Sequence, residues 1–191
     1  MKIAITGATG LVGQRSVERL YPAHELLVLT RSEAKAQGIF PASVYPKLKI
    51  VAYTPTESGP WQDCISGCDA VVNLAGAPIA EQRWTPSYKQ EIHHSRQGGT
   101  EKIVEAIAKA NQKPQVLINP SAVGYYGTSE TAIYTETSPP GNDFLADVCQ
   151  AWETAALEAQ NHGTRTVILR FGIVLAKEGG ALAKMILAFN T

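Results

Sequence analysis

Apolar residues gather along this chain in short unbroken runs, separated by stretches of helical period. Val, Ile and Leu fill Lys2–Thr6, Glu25–Thr30, Leu48–Tyr53, Asp69–Leu74, Gln115–Pro120 and Arg165–Phe171 with little polar alternation. Such runs predict parallel strands buried on both faces. Between them, Leu11–Leu20, Pro86–Ala110 and Phe144–Asn161 read as helices. In the second, Ile92, Ile103, Val104 and Ile107 recur at roughly helical spacing. Strands interleaved with helices predict an α/β fold, a doubly wound parallel sheet ordered 3-2-1-4-5-6. Ser32–Lys47 and Gly124–Asn142 read as long Gly/Pro-rich loops. The second follows a strand's carboxyl end, where ligands sit in open α/β sheets.

Composition narrows the classes. The 191 residues, 45% apolar and 18% charged, suit one soluble globular domain over 1–191. Lys plus Arg number 17, as do Asp plus Glu, so no charge excess points to nucleic acid or an anionic membrane. No apolar run reaches the ~20 residues of a membrane span. Met1-Lys2 leads straight into a strand, without the pattern of a secretory leader. Cys64, Cys68 and Cys149 are too few for a disulfide framework and lack partners at zinc spacing. The reading is reduced thiols in a cytoplasmic protein, with no metal.

The first loop carries chemistry. In "TGATGLVG", Gly7, Gly10 and Gly13 stand between the first strand and the first helix. Gly7 suits a tight turn, Gly10 a close backbone approach to a pyrophosphate, and Gly13 close helix–strand packing. Ala8, Thr9, Leu11 and Val12 complete the cradle, whose free N–H groups and helix dipole favour phosphate. At the end of the second strand, an NAD-binding protein would place a carboxylate for the ribose 2′-hydroxyl. Here stand Arg31 and Ser32, with Lys35 nearby. Arg31 could pair with a 2′-phosphate, which favours NADP over NAD; the alternative is a solvated loop arginine.

The blocks "TGATGLVG", "DAVVNLAGAPI", "SRQGGTEKIVEAI", "PSAVGYYG" and "LRFGIVLAKEGGAL" together resemble an extended-type short-chain dehydrogenase/reductase. More narrowly, they resemble the atypical, epimerase-like subgroup of the NAD-dependent epimerase/dehydratase relatives. The resemblance implies a Rossmann-type fold, a nicotinamide cofactor and often a homodimer through the two long helices. It places Asn73, Leu74, Ala75 and Gly76 where backbone passes the cofactor, and Phe171, Gly172 and Ile173 beside the nicotinamide. Some relatives are linked to plastid or cell division. Relatives also continue beyond "GGALAKMILAFNT" into a lobe over the substrate, so a missing C-terminal substrate lobe and an open substrate side are expected.

The catalytic set does not carry over. Counting from Glu153, the family's Tyr and Lys fall at Leu145 and Cys149. Counting from Gly127, its Ser falls at Ala122, one residue after Ser121, and its helical Asn falls near Arg96. A lysine-acidified tyrosine relay is therefore absent. The polar candidates in its place are Ser121, Tyr125, Tyr126, Glu136 and Asp143. The tyrosines either face the crevice or pack the loop, and the carboxylates could be merely solvated. Arg96 either binds an anionic substrate or pairs with Glu91 or Glu101. Two functions follow: hydride transfer on an unknown small molecule by a non-standard proton relay, or a non-catalytic NADP(H)-binding sensor or scaffold.

Overall fold

The computed structural model describes residues 1–177 and 179–182. Strands β1 (Lys2–Thr6), β2 (Glu25–Thr30), β3 (Lys49–Ala52), β4 (Ala70–Asn73), β5 (Val116–Ala122) and β6 (Arg165–Phe171) form one sheet in the order β3-β2-β1-β4-β5-β6. Every pairing is parallel, with Ile5 of β1 between Val28 of β2 and Val72 of β4. The order reverses between β1 and β4, and a crevice opens there at the strands' carboxyl ends.

Two helical layers follow from the period-two alternation of side chains. Ile3, Ile5, Leu26, Val28, Ala70 and Val72 pack with Val17 of α1 (Leu11–Leu20) and with Phe40, just past α2 (Glu33–Ile39). Ala4, Leu27, Leu29, Val71 and Leu117 point the other way. They meet Ile103 and Ile107 of α3 (Pro86–Lys109) and Ala156 of α4 (Phe144–Leu157). Thr85 caps α3, its side chain accepting from Tyr88 N at 3.2 Å, with Pro86 opening the first turn.

The stretch Ser32–Lys47 is not the continuous loop expected from its Gly and Pro content. Ser32 Oγ accepts from Lys35 N at 3.3 Å and starts α2, whose Ala36 is buried. Glu33, Ala34, Lys35 and Ala36 are adequate helix formers, and that capped run was the overlooked signal. β5 runs on to Ala122, and the helix after Asp143 tightens into a 3-10 turn over Glu158–His162. Past β6, β7 (Leu175–Ala176) makes antiparallel bridges with Gly180 and Gly179. Most of the final segment, residues 183–191, lies outside the described residues.

Candidate functional site

The three glycines of the first turn have different surroundings. Gly7 sits at φ 65°, in the left-handed region, and a Cβ there would lie 2.5 Å from the carbonyl carbon of Leu74. A Cβ on Gly13 would press on Gly7 O and stand 2.6 Å from Ala8 Cα. Both glycines let three backbone segments touch. Gly10 differs: the nearest atom to a Cβ there is Gly7 O at 3.4 Å, so the space above it is open. Gly10 N donates to Gly7 O at 3.0 Å and starts α1 with neither a capping side chain nor an acidic residue in the first turn. The first N–H groups of α1 therefore await an acceptor, and the helix dipole favours an anion.

A buried polar network fixes the opposite wall. Thr6 Oγ1 donates to Asn73 Oδ1 at 2.8 Å and accepts from Ala75 N at 3.2 Å. Asn73 Nδ2 donates to Thr100 Oγ1 at 2.9 Å and to Asn119 Oδ1 at 2.8 Å, and Trp152 Nε1 donates to Thr100 Oγ1 at 3.0 Å. Side chains from β1, β4, β5, α3 and α4 thus hold the backbone at Leu74–Gly76. Every polar member has a partner, so the network rigidifies the site.

Between these walls lies a cleft of about 840 Å³. Of the expected cofactor residues, Gly7, Ala8, Thr9, Gly10, Arg31, Ser32, Leu74, Ala75 and Gly76 line it together. Leu11 and Val12 instead line a groove with Val174 and Leu175. Gly13 is buried, and Phe171, Gly172 and Ile173 stand outside the cleft lining, with Ile173 76% exposed. Sequence reasoning left out Tyr53, Tyr88 and Ser95, which also line the cleft. Tyr53 follows a strand's carboxyl end, a position that should have singled it out. Burial pushes its phenol up to about 12, against the opposing pull of the Thr6 hydroxyl and the Arg31 charge. Tyr88 lies on α3 and donates to Pro78 O. Ser95 Oγ accepts from Ala77 N at 3.0 Å.

The side chains at the relay positions are otherwise engaged. Leu145 packs over Gly124, and Cys149 is buried, its Sγ 3.9 Å from Ala122 O. Burial raises the Cys149 thiol, with Ser121 and the Ala122 carbonyl pulling it back. Ser121 Oγ is buried without a hydrogen bond of ordinary length, lying toward that thiol. Asp143 caps α4, accepting from Ala146 N at 2.9 Å. Arg170, which the sequence did not single out, gathers the rest. Its Nε and Nη2 reach Glu153 Oε1 and Oε2 at 2.8 Å each, and the Glu153 bonds push the guanidinium further up. Its Nη1 donates to Tyr126 Oη at 2.8 Å and to the Glu136 backbone carbonyl at 3.0 Å. Its Cζ lies 3.5 Å from the Tyr125 ring centre. The Glu136 residue itself is exposed. Trp84 Nε1 donates to Ile79 O at 2.7 Å, and its ring meets Phe144 edge-on.

The profile of the NAD dependent epimerase/dehydratase family matches residues 3–190. The chain belongs to that family. It is 48% identical over 193 residues to the epimerase family protein SDR39U1 homolog, chloroplastic, of Arabidopsis thaliana, covering 100% of this chain and 54% of that protein. An epimerase family protein of Staphylococcus haemolyticus is 40% identical over 190 residues, with 97% and 59% coverage. Among solved structures, human epimerase family protein SDR39U1 with NADPH superposes with a TM-score of 0.79 at 31% identity, over 99% of this chain and 59% of that one. The nucleoside-diphosphate sugar epimerase from Corynebacterium glutamicum gives 0.80 at 34%, over 100% and 38%. The chain thus spans 54% to 59% of these two curated relatives. The sheet and its flanking helices are those of short-chain dehydrogenase/epimerase folds. No helix of the described residues is long and apolar enough to cross a membrane.

Proposed function

We propose that this chain is the dinucleotide-binding part of an NADP(H)-dependent, epimerase-like oxidoreductase acting on a small molecule. The carrying observation is that Arg31, Ser32 and Lys35 share one cleft with the Gly7–Gly10 turn. Glu33, the adjacent carboxylate, is turned to β3, where its Oε1 accepts from Ala52 N at 3.0 Å. Glu33 is not among the residues lining the cleft, whereas Arg31 and Lys35 both line it and suit a 2′-phosphate. The open space over Gly10 fits a pyrophosphate, held by the first N–H groups of α1. The human relative crystallised with NADPH agrees in kind.

When bound, the nicotinamide would supply or accept hydride. The chain's residues would bind and orient the cofactor: the Thr6–Asn73–Thr100 network holds the wall at Ala75 and Gly76, and Tyr53 lines the adenosine end with Arg31. Among Ser121, Tyr125, Tyr126 and Glu136, the Tyr126 hydroxyl is engaged by Arg170 and Ser121 faces Cys149. A second reading, an NADP(H) sensor or scaffold without turnover, is favoured by Leu145 and Cys149 at the relay positions. A panel of carbonyl compounds and sugar nucleotides separates the two, since cofactor consumption or conversion of any of them to product ends the sensor reading, and neither with any of them supports it. Cofactor choice has its own test. Calorimetry at one salt concentration should find NADPH bound about tenfold or more tighter than NADH, near 1.4 kcal/mol. Arg31→Asp should narrow or reverse the gap. Equal affinities in the unaltered protein would sink the proposal.

A further inference from the structure

Arg96 is a half-buried cation without a carboxylate among the described residues. Its Nη1 donates to Ile92 O at 3.1 Å, one acceptor in its own helix. Its Cζ lies 5.2 Å from the centre of the Trp152 ring. Glu101 accepts from Gln97 instead, and Glu91, which lines the cleft, makes no ion pair with it. Burial accordingly weighs against its charge, offset by the Cys149 thiol and the Tyr88 phenol. A guanidinium carries five N–H donors in a planar fork, so most of this fork is unspent. A partly desolvated cation without a counter-charge is costly, and an anion arriving beside it would relieve that cost.

The position says where the partner would sit. A Cβ on Gly76 would meet Arg96 Cζ at 3.3 Å and Nη1 at 3.5 Å, so the guanidinium lies next to a residue that lines the cleft. The Cys149 thiol, where the relay lysine would stand, is near enough to act on its charge. Resting on that reading of the cleft, we infer that Arg96 is the receptor for an oxyanion, a carboxylate or phosphate borne by the small-molecule substrate. The unspent donors, the ring beneath the fork and the bare backbone at Gly76 together suit bidentate capture of such a group. The substrate class is therefore a compact anionic molecule.

The test titrates sodium phosphate and sodium malonate, separately and at constant ionic strength, into the apo and the NADPH-loaded protein. The readout is the Nε–Hε resonance of Arg96, assigned by its loss in Arg96→Met. At least one salt should move that resonance saturably, and the salt that binds tells carboxylate from phosphate. Arg96→Met should weaken that salt about tenfold or more, as expected for losing charge-assisted bonds, while NADPH affinity changes less than about threefold. Arg96→Lys keeps the charge over Trp152 without the fork, so an intermediate affinity supports the assignment even if Arg96→Met folds poorly. No saturable shift in the unaltered protein, or unchanged salt affinity in both folded variants, overturns it. So does a tenfold loss of NADPH affinity, which would give the fork to the cofactor's own phosphates. A protein that ignores NADPH but binds the salts through Arg96 would instead end the cofactor reading and leave this one standing.

Discussion

A methyl group added at Gly13 would press on the backbone of Gly7 and Ala8, which cannot yield as a side-chain tip can. One added at Gly10 would meet nothing closer than 3.4 Å. The two substitutions should therefore separate folding from binding. Gly13→Ala is expected to destabilise the fold by about 1–3 kcal/mol, as overpacked sites do, and to lower the melting temperature accordingly. Gly10→Val should keep its melting temperature within a few degrees and lose NADPH binding, because its branched side chain would fill the space left for the pyrophosphate. Calorimetry beside thermal melts reads both. Retained binding in a folded Gly10→Val protein would move the ligand elsewhere. Arg170 makes the complementary point about unforeseen residues. As one arginine in an apolar strand it gave no sequence signal, because its partners Glu153, Tyr126 and the Glu136 carbonyl come from segments distant along the chain.

At the scale of elements, that arginine joins β6 to α4 and to the Gly124–Asn142 loop. Glu153 is 7% exposed, and its two oxygens are held by one fork. Glu153→Ala would leave Arg170 without its main counter-charge and is expected to cost about 2 kcal/mol, less than a fully buried pair. For a chain of this size that is roughly 4–8 °C of melting temperature. Adding Arg170→Met should cost less than the sum of the single changes, and strict additivity would show that the pair is not coupled. The same contacts explain the partial legibility of this region. Strand order, both long helices and the glycine cradle were readable because they depend on local period and on a motif in its context. α2 was hidden because its Gly and Pro neighbours suggested a loop and the Ser32 cap was passed over. For Tyr125 and Tyr126 the sequence admits both crevice and packing, and the choice rests on a stack across the loop: Tyr126 lies 5.0 Å from Tyr134, nearly parallel.

For the whole molecule, the consequence lies in how the cleft divides the sheet. Its walls come from the ends of β1, β2 and β4, from Tyr53 beyond β3 and from Tyr88, Glu91 and Ser95 of α3, while β5 and β6 take no part in the lining. A ligand there would tie the two sides of the strand-order reversal together, and anything that binds only the folded state raises stability by mass action. At about one hundred times its dissociation constant, NADPH should add about 2.7 kcal/mol, or roughly 5–11 °C for a chain of this size. NADH at the same concentration should give a smaller rise, because Arg31 and Lys35 would have no 2′-phosphate to hold. The fragment 2′,5′-ADP should likewise outdo 5′-AMP, since the difference resides at the adenosine end of the cleft. Hydrogen exchange would locate the effect, with protection appearing at residues 7–10, 31–35 and 74–76 and little change along Arg165–Phe171. Protection confined to β6, or equal melting shifts for both fragments, would show that the cradle and the cations do not bind one ligand, and the reading of this cleft as an NADP(H) site would fall with them.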